Sequence, residues 1–374
     1  MTEQKIRVGV IFGGRSGEHE VSLISAASIM RAIDKTKFEV YPIGITKEGR
    51  WLTRGDPMAA LQAGAEMPPQ LQRQAAEVKE TTLPPTPGET RDLIPGTRHD
   101  GIPRIDVAFP VLHGPYGEDG TVQGLLELAG IPYVGAGVLG SALGMDKVLM
   151  KTVFAQHGLP IAPFLPLKRK DWDRNPEAMV DRVEARFGYP CFVKPANLGS
   201  SVGITKVHDR AELSQALALA AEFDRKMLAE EAIDAREIEC SVLGNDDPIV
   251  SVPGEIIPSR EFYDYAAKYV DDASELLIPA PISDALTRQV RELAARAFLA
   301  LDCAGMARAD LFLERGTERV YVNEVNTIPG FTSISMYPKL WEASGIPYTE
   351  LITRLIDLAL ERHADKSRSR TSYQ

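Results

Sequence analysis

A chain of 374 residues is long for one hydrophobic core and points to two or three domains. A hydrophobic share of 44% and a charged share of 25% are ordinary for a folded protein, and a net charge of −10 with acids spread along the chain argues against nucleic acid or an anionic membrane as partner. No run reaches the roughly 18 apolar residues of a membrane span, and the start MTEQKIRVGVIFGG turns straight into a strand, so a cytoplasmic location is expected.

The apolar run 6–12 predicts a strand, GGRSGEHE a loop, the stretch to residue 33 a helix, and residues 38–45 a second strand. This is a βαβ unit whose ligand end is the turn after its first strand. That turn lacks GxGxxG, so a dinucleotide is disfavoured. Glu18 stands at the mouth of the helix, where a carboxylate either holds a substrate ammonium or simply complements the helix dipole. Residues 53–104 turn rich in Pro, Gln, Glu and Thr and predict a surface excursion, with a short amphipathic helix possible near 59–78. Strand character resumes over 105–112 and ends in HGPYGEDGTVQGLLELAG, followed by a helix and a short strand in IPYVGAG. His113 thereby sits at the carboxyl end of a strand, beside Gly114, Gly117 and Gly120, which permit close backbone approach. A capping or core imidazole is the competing reading.

A helix over 138–157 carries Asp146 and Lys147 in GMDKVLMK. In GYPCFVKPANLGSSVGITKVHDRAEL an apolar strand ends at Lys194, a loop holds Gly199, Ser200, Ser201 and Gly203, and a strand returns. Such a loop exposes backbone N–H groups to phosphate oxygens, with Lys194 as a point charge beside them. It is not a Walker A loop, since GxxxxGK[ST] is missing and no helix follows. In MLAEEAIDAREIECSVLG, Glu230 and Glu231 precede a linker, and Glu237 and Glu239 enter the next strand; such acids either accept from ribose hydroxyls or are merely solvated. Residues 261–272, EFYDYAAKYVDD, combine three tyrosines with a lysine and predict a water-excluding lid. The periodic helix over 283–301 packs against the hairpin that follows it, a helix over 349–362 closes the domain, and the tail frays. Cys191, Cys240 and Cys303 stand far apart in apolar surroundings without CxxC, which predicts buried thiols rather than disulfides or zinc ligands.

Residues 306–335, MARADLFLERGTERVYVNEVNTIPGFTSIS, read as two strands around Gly316-Thr317-Glu318. With a three-residue loop Arg315 pairs with Arg319, which sets Asp310 opposite Glu324 and Arg308 opposite Asn326 on one face. The other face, Ala309, Leu311, Leu313, Tyr321 and Val325 with Asn323 as its polar member, is expected to pack on the core. Facing carboxylates repel unless a cation lies between them, and hard oxygen ligands suit Mg²⁺ holding substrate phosphates; a solvated hairpin face is the alternative.

The order of these pieces resembles the ATP-grasp superfamily. GGRSGEHEVSLIS, LHGPYGEDGTVQGLLEL, GMDK, VKPANLGSSVG, FYDYAAKY, ARADLF and NEVNTIPGFTSIS are together similar to the D-alanine–D-alanine ligase family over nearly the whole chain. The resemblance implies an α/β fold with an N-terminal βαβ, Rossmann-like substrate domain over 1–140, a central ATP-grasp subdomain with the Gly/Ser lid over 141–240, a C-terminal ATP-grasp subdomain of antiparallel sheet with the metal hairpin over 241–365, and a tail over 366–374. It implies ATP-dependent ligation of two D-alanines with release of ADP and phosphate, through an acyl phosphate and a tetrahedral intermediate, for the peptidoglycan precursor pathway. A D-alanine–D-lactate ligase, or another ATP-grasp carboxylate–amine ligase, is the alternative, and Tyr269 in the lid favours the dipeptide. A regulator that keeps the fold without catalysis would lack a metal acid or the oxyanion arginine, and neither is missing.

By the same resemblance Asp310, Glu324 and Asn326 hold two Mg²⁺ or Mn²⁺ ions, and Lys147 and Lys194 contact the phosphates of ATP. Ser200 and Ser201 lie in the lid, while Glu230, Glu231, Ile233 and Glu237 line the adenosine pocket. The first D-alanine faces Glu18, with Val21 and His113 nearby; the second meets Lys268, Tyr269, Ser335 and Met336 near Gly330. Arg308 steadies the oxyanion, and a hydrogen-bonded set of Glu18, Ser200 and Tyr269 latches the lid. A monovalent cation is a further candidate, and a homodimer is the family's common state.

Overall fold

The computed structural model describes residues 4–53, 55–62, 105–199, 202–257, 275–332, 335–370 and 372. β1 (Ile6–Gly13) lies between β2 (Phe38–Ile45) and β4 (Val107–Pro110), parallel to both, and β3 (Trp51–Leu52) runs antiparallel to the end of β2. The last six residues of β1 are buried, because both faces of a parallel strand are covered, and its sequence accordingly reads as an unbroken apolar run. α1 (His19–Ala32) makes the crossover from β1 to β2. The short α2 (Pro57–Gln62) follows, and it is the described part of the excursion, the remainder of which lies outside the described residues. After β4 comes α3 (Thr121–Leu128), and the short strand expected in IPYVGAG contributes a single bridge from Tyr133 to Ala108.

The helix expected over 138–157 is two helices, α4 (Val138–Met145) and α5 (Lys147–Gln156), broken at Asp146. Asp146 is extended (φ −87°, ψ 96°), and its carboxylate accepts from the N–H groups of Val148 and Leu149, so the residue that interrupts the helix also caps the next one. The N–H of Lys147 donates to Ala196 O at 3.0 Å, which ties the start of α5 to the central sheet. That sheet consists of β5 (Phe164–Lys168), β6 (Cys191–Pro195), β7 (Thr205–Val207) and β8 (Lys226–Glu231), antiparallel in the order β5-β8-β6-β7. α6 (Arg169–Arg174), α7 (Pro176–Phe187) and α8 (Arg210–Phe223) accompany it, and its own core includes Val180, Val183, Val193 and Leu217.

A second antiparallel sheet is built from β9 (Ala235–Gly244), β10 (Ile249–Val250), β11 (Gly254–Ile257), β12 (Glu275–Leu277), β13 (Gly305–Glu314) and β14 (Val320–Asn326). Its order is β12-β11-β9-β13-β14, with β10 on β9. α9 (Asp284–Ala300), capped by Ser283, presses Val290, Ala294, Ala297 and Phe298 onto the apolar face of this sheet. α10 (Met336–Ala343) and α11 (Tyr348–Lys366) close the chain, α11 running past the expected end at 362 into the expected tail. The three cysteines are buried and free.

One core joins the first sheet to the last helices. Val8, Phe12 and Phe109 pack in the same cluster as Phe331, Tyr337, Trp341, Leu351 and Leu355. Phe331 is its hub, with ring centroids 6.0 Å from Phe109, 5.4 Å from Tyr337 and 5.8 Å from Tyr348. Arg362 on α11 adds polar ties, donating to the carbonyls of Tyr133 and Gly135. These contacts fix the carboxyl ends of β1 and β4 relative to the loop that follows β14. Phe331→Ala should cost about 3–5 kcal/mol, the usual range for a fully buried aromatic, seen as a lower urea midpoint; an unchanged midpoint would show that this shared core does not hold the parts together.

Candidate functional site

β13 places Arg308 and Asp310 on one face, and the antiparallel pairing sets Asp310 opposite Glu324 and Arg308 opposite Asn326. Beyond Asp310 the expected register fails. Leu311 pairs with Val322, so Asn323 is an extra residue, and Leu313 pairs with Val320. At the tip the N–H of Glu314 donates to Arg319 O, so Arg315 does not pair with Arg319. The bulge has a side-chain consequence: Val320 and Val322 join Val325 in the core, whereas Tyr321 and Asn323, expected there, are only partly buried. One inserted residue thus keeps the valines inside at the tip and the charged pairs opposed at the other end.

β9, on the other side of β13, contributes to the same face. Glu239 lies opposite Asp310 and Glu237 opposite Phe312, while Ile238, Cys240 and Val242 point into the core. The guanidinium of Arg308 forks onto Asp310, Nε to Oδ1 and Nη2 to Oδ2, each at 2.7 Å, and its Nε lies 3.2 Å from Glu239 Oε2. These carboxylates hold the Arg308 pKa well above its ordinary value against the opposing effect of burial. From α5, Lys147 brings its Nζ to 3.7 Å from Glu324 Oε2 and donates to Leu198 O at 2.7 Å. The capping break at Asp146 therefore starts a helix whose first side chain spans from the Gly/Ser loop to the acidic hairpin.

The first sheet supplies the opposite wall. Glu18 is the N-cap of α1 and its side chain makes no capping bond to that helix. Ser16 ties the two loops at this end, donating to His113 O at 2.6 Å while its hydroxyl accepts from the Glu18 N–H. A Cβ built on Gly114 would lie 2.8 Å from Glu18 Oε2, and one on Gly199 would lie 2.9 Å from the same oxygen, so a side chain at either position would displace the Glu18 carboxylate. His113 sets Nδ1 3.0 Å from Ile328 O. Because a carbonyl only accepts, Nδ1 carries the proton; burial lowers the His113 pKa, so the ring is neutral and its buried Nε2, without a hydrogen-bond partner among the described residues, is an acceptor.

Glu118 follows His113 in the same loop. Its Oε1 accepts from Gly114 N at 3.0 Å, and its buried Oε2 has no hydrogen-bond partner among the described residues. Burial first, then the charge of Glu18, raises the Glu118 pKa well above the ordinary carboxylate range.

On the nucleotide side, Glu230 is 1% exposed and engaged by two lysines: Lys194 Nζ donates to it at 2.5 Å, and Lys151 pairs with its other oxygen. It is therefore no solvated acid. Glu231 is exposed, and Ile233 and Glu237 are half-buried at the passage from β8 to β9. Val21 and Met336 are buried, and the Ser335 hydroxyl accepts from Thr332 N at 3.0 Å, beside Gly330. Ser200, Ser201, Lys268 and Tyr269, and with them the lid over 261–272 and the latch to Glu18, lie outside the described residues.

Among the described residues no three acids, histidines or cysteines are grouped to hold a metal by themselves. Asp310 and Glu324 with the amide of Asn326 instead offer oxygen donors on one face that could hold an ion whose remaining ligands are substrate phosphates, which is how Mg²⁺ is commonly bound. Two participants escaped the sequence reading although each left a trace: Lys151 falls four residues after Lys147 on one helix face, and Glu118 five after His113 in one loop.

Comparison with known proteins agrees on one family. The model described as D-ala D-ala ligase N-terminus matches residues 7–136, and that described as D-ala D-ala ligase C-terminus matches residues 153–357. A D-alanine–D-alanine ligase of Natranaerobius thermophilus is 51% identical over 370 residues, covering 99% of both chains. One of Heliobacterium modesticaldum is 54% identical over 367 residues, covering 98% of both. Among solved structures, the D-alanine–D-alanine ligase from Coxiella burnetii superposes with a TM-score of 0.83 at 37% identity, over 98% of this chain and 97% of that one. The VanG D-Ala:D-Ser ligase from Enterococcus faecalis gives 0.78 at 38% identity, over 95% of this chain and 100% of that one.

A raised carboxyl pKa means that folding favours the neutral acid. Stability from Glu118 is then complete below the unfolded carboxyl value and is lost as pH rises toward the folded one. Glu118→Gln keeps the neutral shape at every pH, so without substrates the variant should gain melting temperature relative to the parent as pH rises above the ordinary carboxylate range. Parallel pH profiles for the two proteins would show that Glu118 is charged.

Proposed function

The chain belongs to the D-alanine–D-alanine ligase family, and from that membership we propose how its residues carry the family's reaction. The reaction is the ATP-dependent joining of two D-alanines for peptidoglycan precursor synthesis. The observation that carries the residue assignment is the single sheet face on which Asp310 opposes Glu324, with Arg308 beside them and Lys147 reaching in from α5.

A carboxylate is a poor electrophile, so the first D-alanine must be phosphorylated before an amine can displace anything from it. Its ammonium is placed between two acceptors, the Glu18 carboxylate and the neutral His113 Nε2. Val21 packs beside it, and the carboxylate is directed toward the hairpin. Lys147 and Lys194 take the phosphates of ATP, and Glu231, Ile233 and Glu237 at the passage from β8 to β9 line the nucleoside pocket. Asp310, Glu324 and Asn326 hold the divalent ions, Mg²⁺ or Mn²⁺, which when bound spread the charge of the transferring phosphoryl group. Arg308 keeps Asp310 oriented by its two-pronged bond, and its unused N–H donors face the oxyanion that forms when the second amine attacks the acyl phosphate. Gly330, Ser335 and Met336 form the described wall for the second D-alanine, completed by Lys268 and Tyr269. Ser200, Ser201 and Tyr269 exclude water from the acyl phosphate.

The reading also includes a cytoplasmic location, supported by ATP as substrate, and a homodimer, supported by exposed apolar residues on the N-terminal helices, Ile24, Leu128 and Leu139. No helix among the described residues is long and apolar enough to cross a membrane. A monovalent cation remains a candidate activator, tested by exchanging K⁺ for Na⁺ in the assay.

Coupled ADP release tests the assignment. ADP should appear with D-alanine but not with L-alanine or without amino acid, and D-alanine should outcompete D-lactate as second substrate at neutral pH; preferential ester formation would replace the dipeptide reading with the D-lactate one. Arg308→Ala should lower turnover roughly a hundredfold or more, the cost of one lost oxyanion donor. Arg308→Lys, which keeps a cation beside Asp310 and Glu239, should fold and still be slow; near-parental turnover in the lysine variant would remove Arg308 from the bond-forming step.

A further inference from the structure

Lys151 is used by no step above, yet it is one of the largest fully buried side chains described, at 1% exposure on the fourth position after Lys147 in α5. A buried ammonium is expensive unless something nearby compensates it, and the compensating group is Glu230, itself 1% exposed on β8. The other oxygen of Glu230 is taken by Lys194 from β6, the strand paired to β8. Two cations therefore flank one carboxylate, and the cluster carries one net positive charge. A buried ion pair is weak evidence for stability, because well-packed apolar side chains would serve the core at least as well. Such a cluster is better explained by its charge than by its packing.

We propose that Lys151 is a positioning residue for nucleotide binding: it neutralises Glu230 from behind, so that the charge of Lys194 remains available to the phosphates of ATP. Without it Glu230 and Lys194 form a neutral pair, and an approaching phosphate meets attraction and repulsion of similar size. Glu230 then serves as the clamp that aims the Lys194 ammonium. Burial, with a smaller contribution from Lys194, lowers the Lys151 pKa, and the Glu230 carboxylate opposes that shift. The inference rests on the reading of Lys194 as a phosphate contact.

The test is a set of steady-state measurements on Lys151→Met, Glu230→Gln and the double variant, with ATP and D-alanine varied separately. Lys151→Met should raise KM for ATP about tenfold and leave KM for D-alanine within about twofold, whereas in the Glu230→Gln background the same substitution should raise KM for ATP less than about threefold, since no acid remains to be neutralised. Equal effects in both backgrounds, or equal changes in both Michaelis constants, would reduce Lys151 to a core residue and overturn the proposal. If Lys151→Met does not fold, comparing the double variant with Glu230→Gln still decides, because a large rise in KM for ATP there contradicts charge compensation. Lys194→Met separates the two layers: an unchanged KM for ATP in that variant overturns the underlying reading of Lys194, while a raised one beside an unaffected Lys151→Met overturns only the inference about Lys151.

Discussion

Two carboxylates held opposite one another across β13 and β14 are a standing electrostatic conflict, and much of the surrounding structure is arranged to contain it. Asp310 is gripped at both oxygens by Arg308, and Arg308 also borders Glu239. Glu324 has Lys147 near it at 3.7 Å. Each of these positive side chains balances an acid on this face.

The face is useful only if the first sheet presents its loops across from it, and the shared aromatic core imposes that relation. Phe331 follows the hairpin directly and is wedged between Phe109 of the first sheet and Tyr337 and Tyr348 of the last helices. His113, next to the end of β4, completes the tie by donating to Ile328 O. Phosphate-side acids and ammonium-side acceptors are thus set by packing more than by any direct bond between them. Close-packed cores resist small displacements, which is the property a site needs when it must keep two amino acids and a phosphate in line.

Charge is distributed along the site in a consistent order. At one end burial lowers the His113 pKa and raises that of Glu118, close to Glu18. At the other end Lys147 and Lys194 each lie beside a carboxylate, Glu324 or Glu230. In both places a further titratable group, Glu118 or Lys151, is buried. Gly114 and Gly199 belong to the same arrangement, since a Cβ at either would displace the Glu18 carboxylate.

Local sequence determined a good deal: the parallel strand of VGVIF, the helix over 283–301 from its apolar period, the pairing of Asp310 with Glu324, the buried free cysteines, and, through motif resemblance, the family itself. Periodicity is a property of neighbouring residues, so it survives without the fold. What the sequence left undecided were contacts between residues far apart in the chain. The bulge at Asn323 answers to whether Val320 and Val322 can reach a core made by α9, and the helix break at Asp146 answers to a carbonyl on Ala196. Whether Glu230 is a solvated acid or a clamp depends on two lysines 36 and 79 positions away, counted from 194 and 151. Burial and charge compensation are decided by three-dimensional neighbours, and only the tertiary structure supplies those.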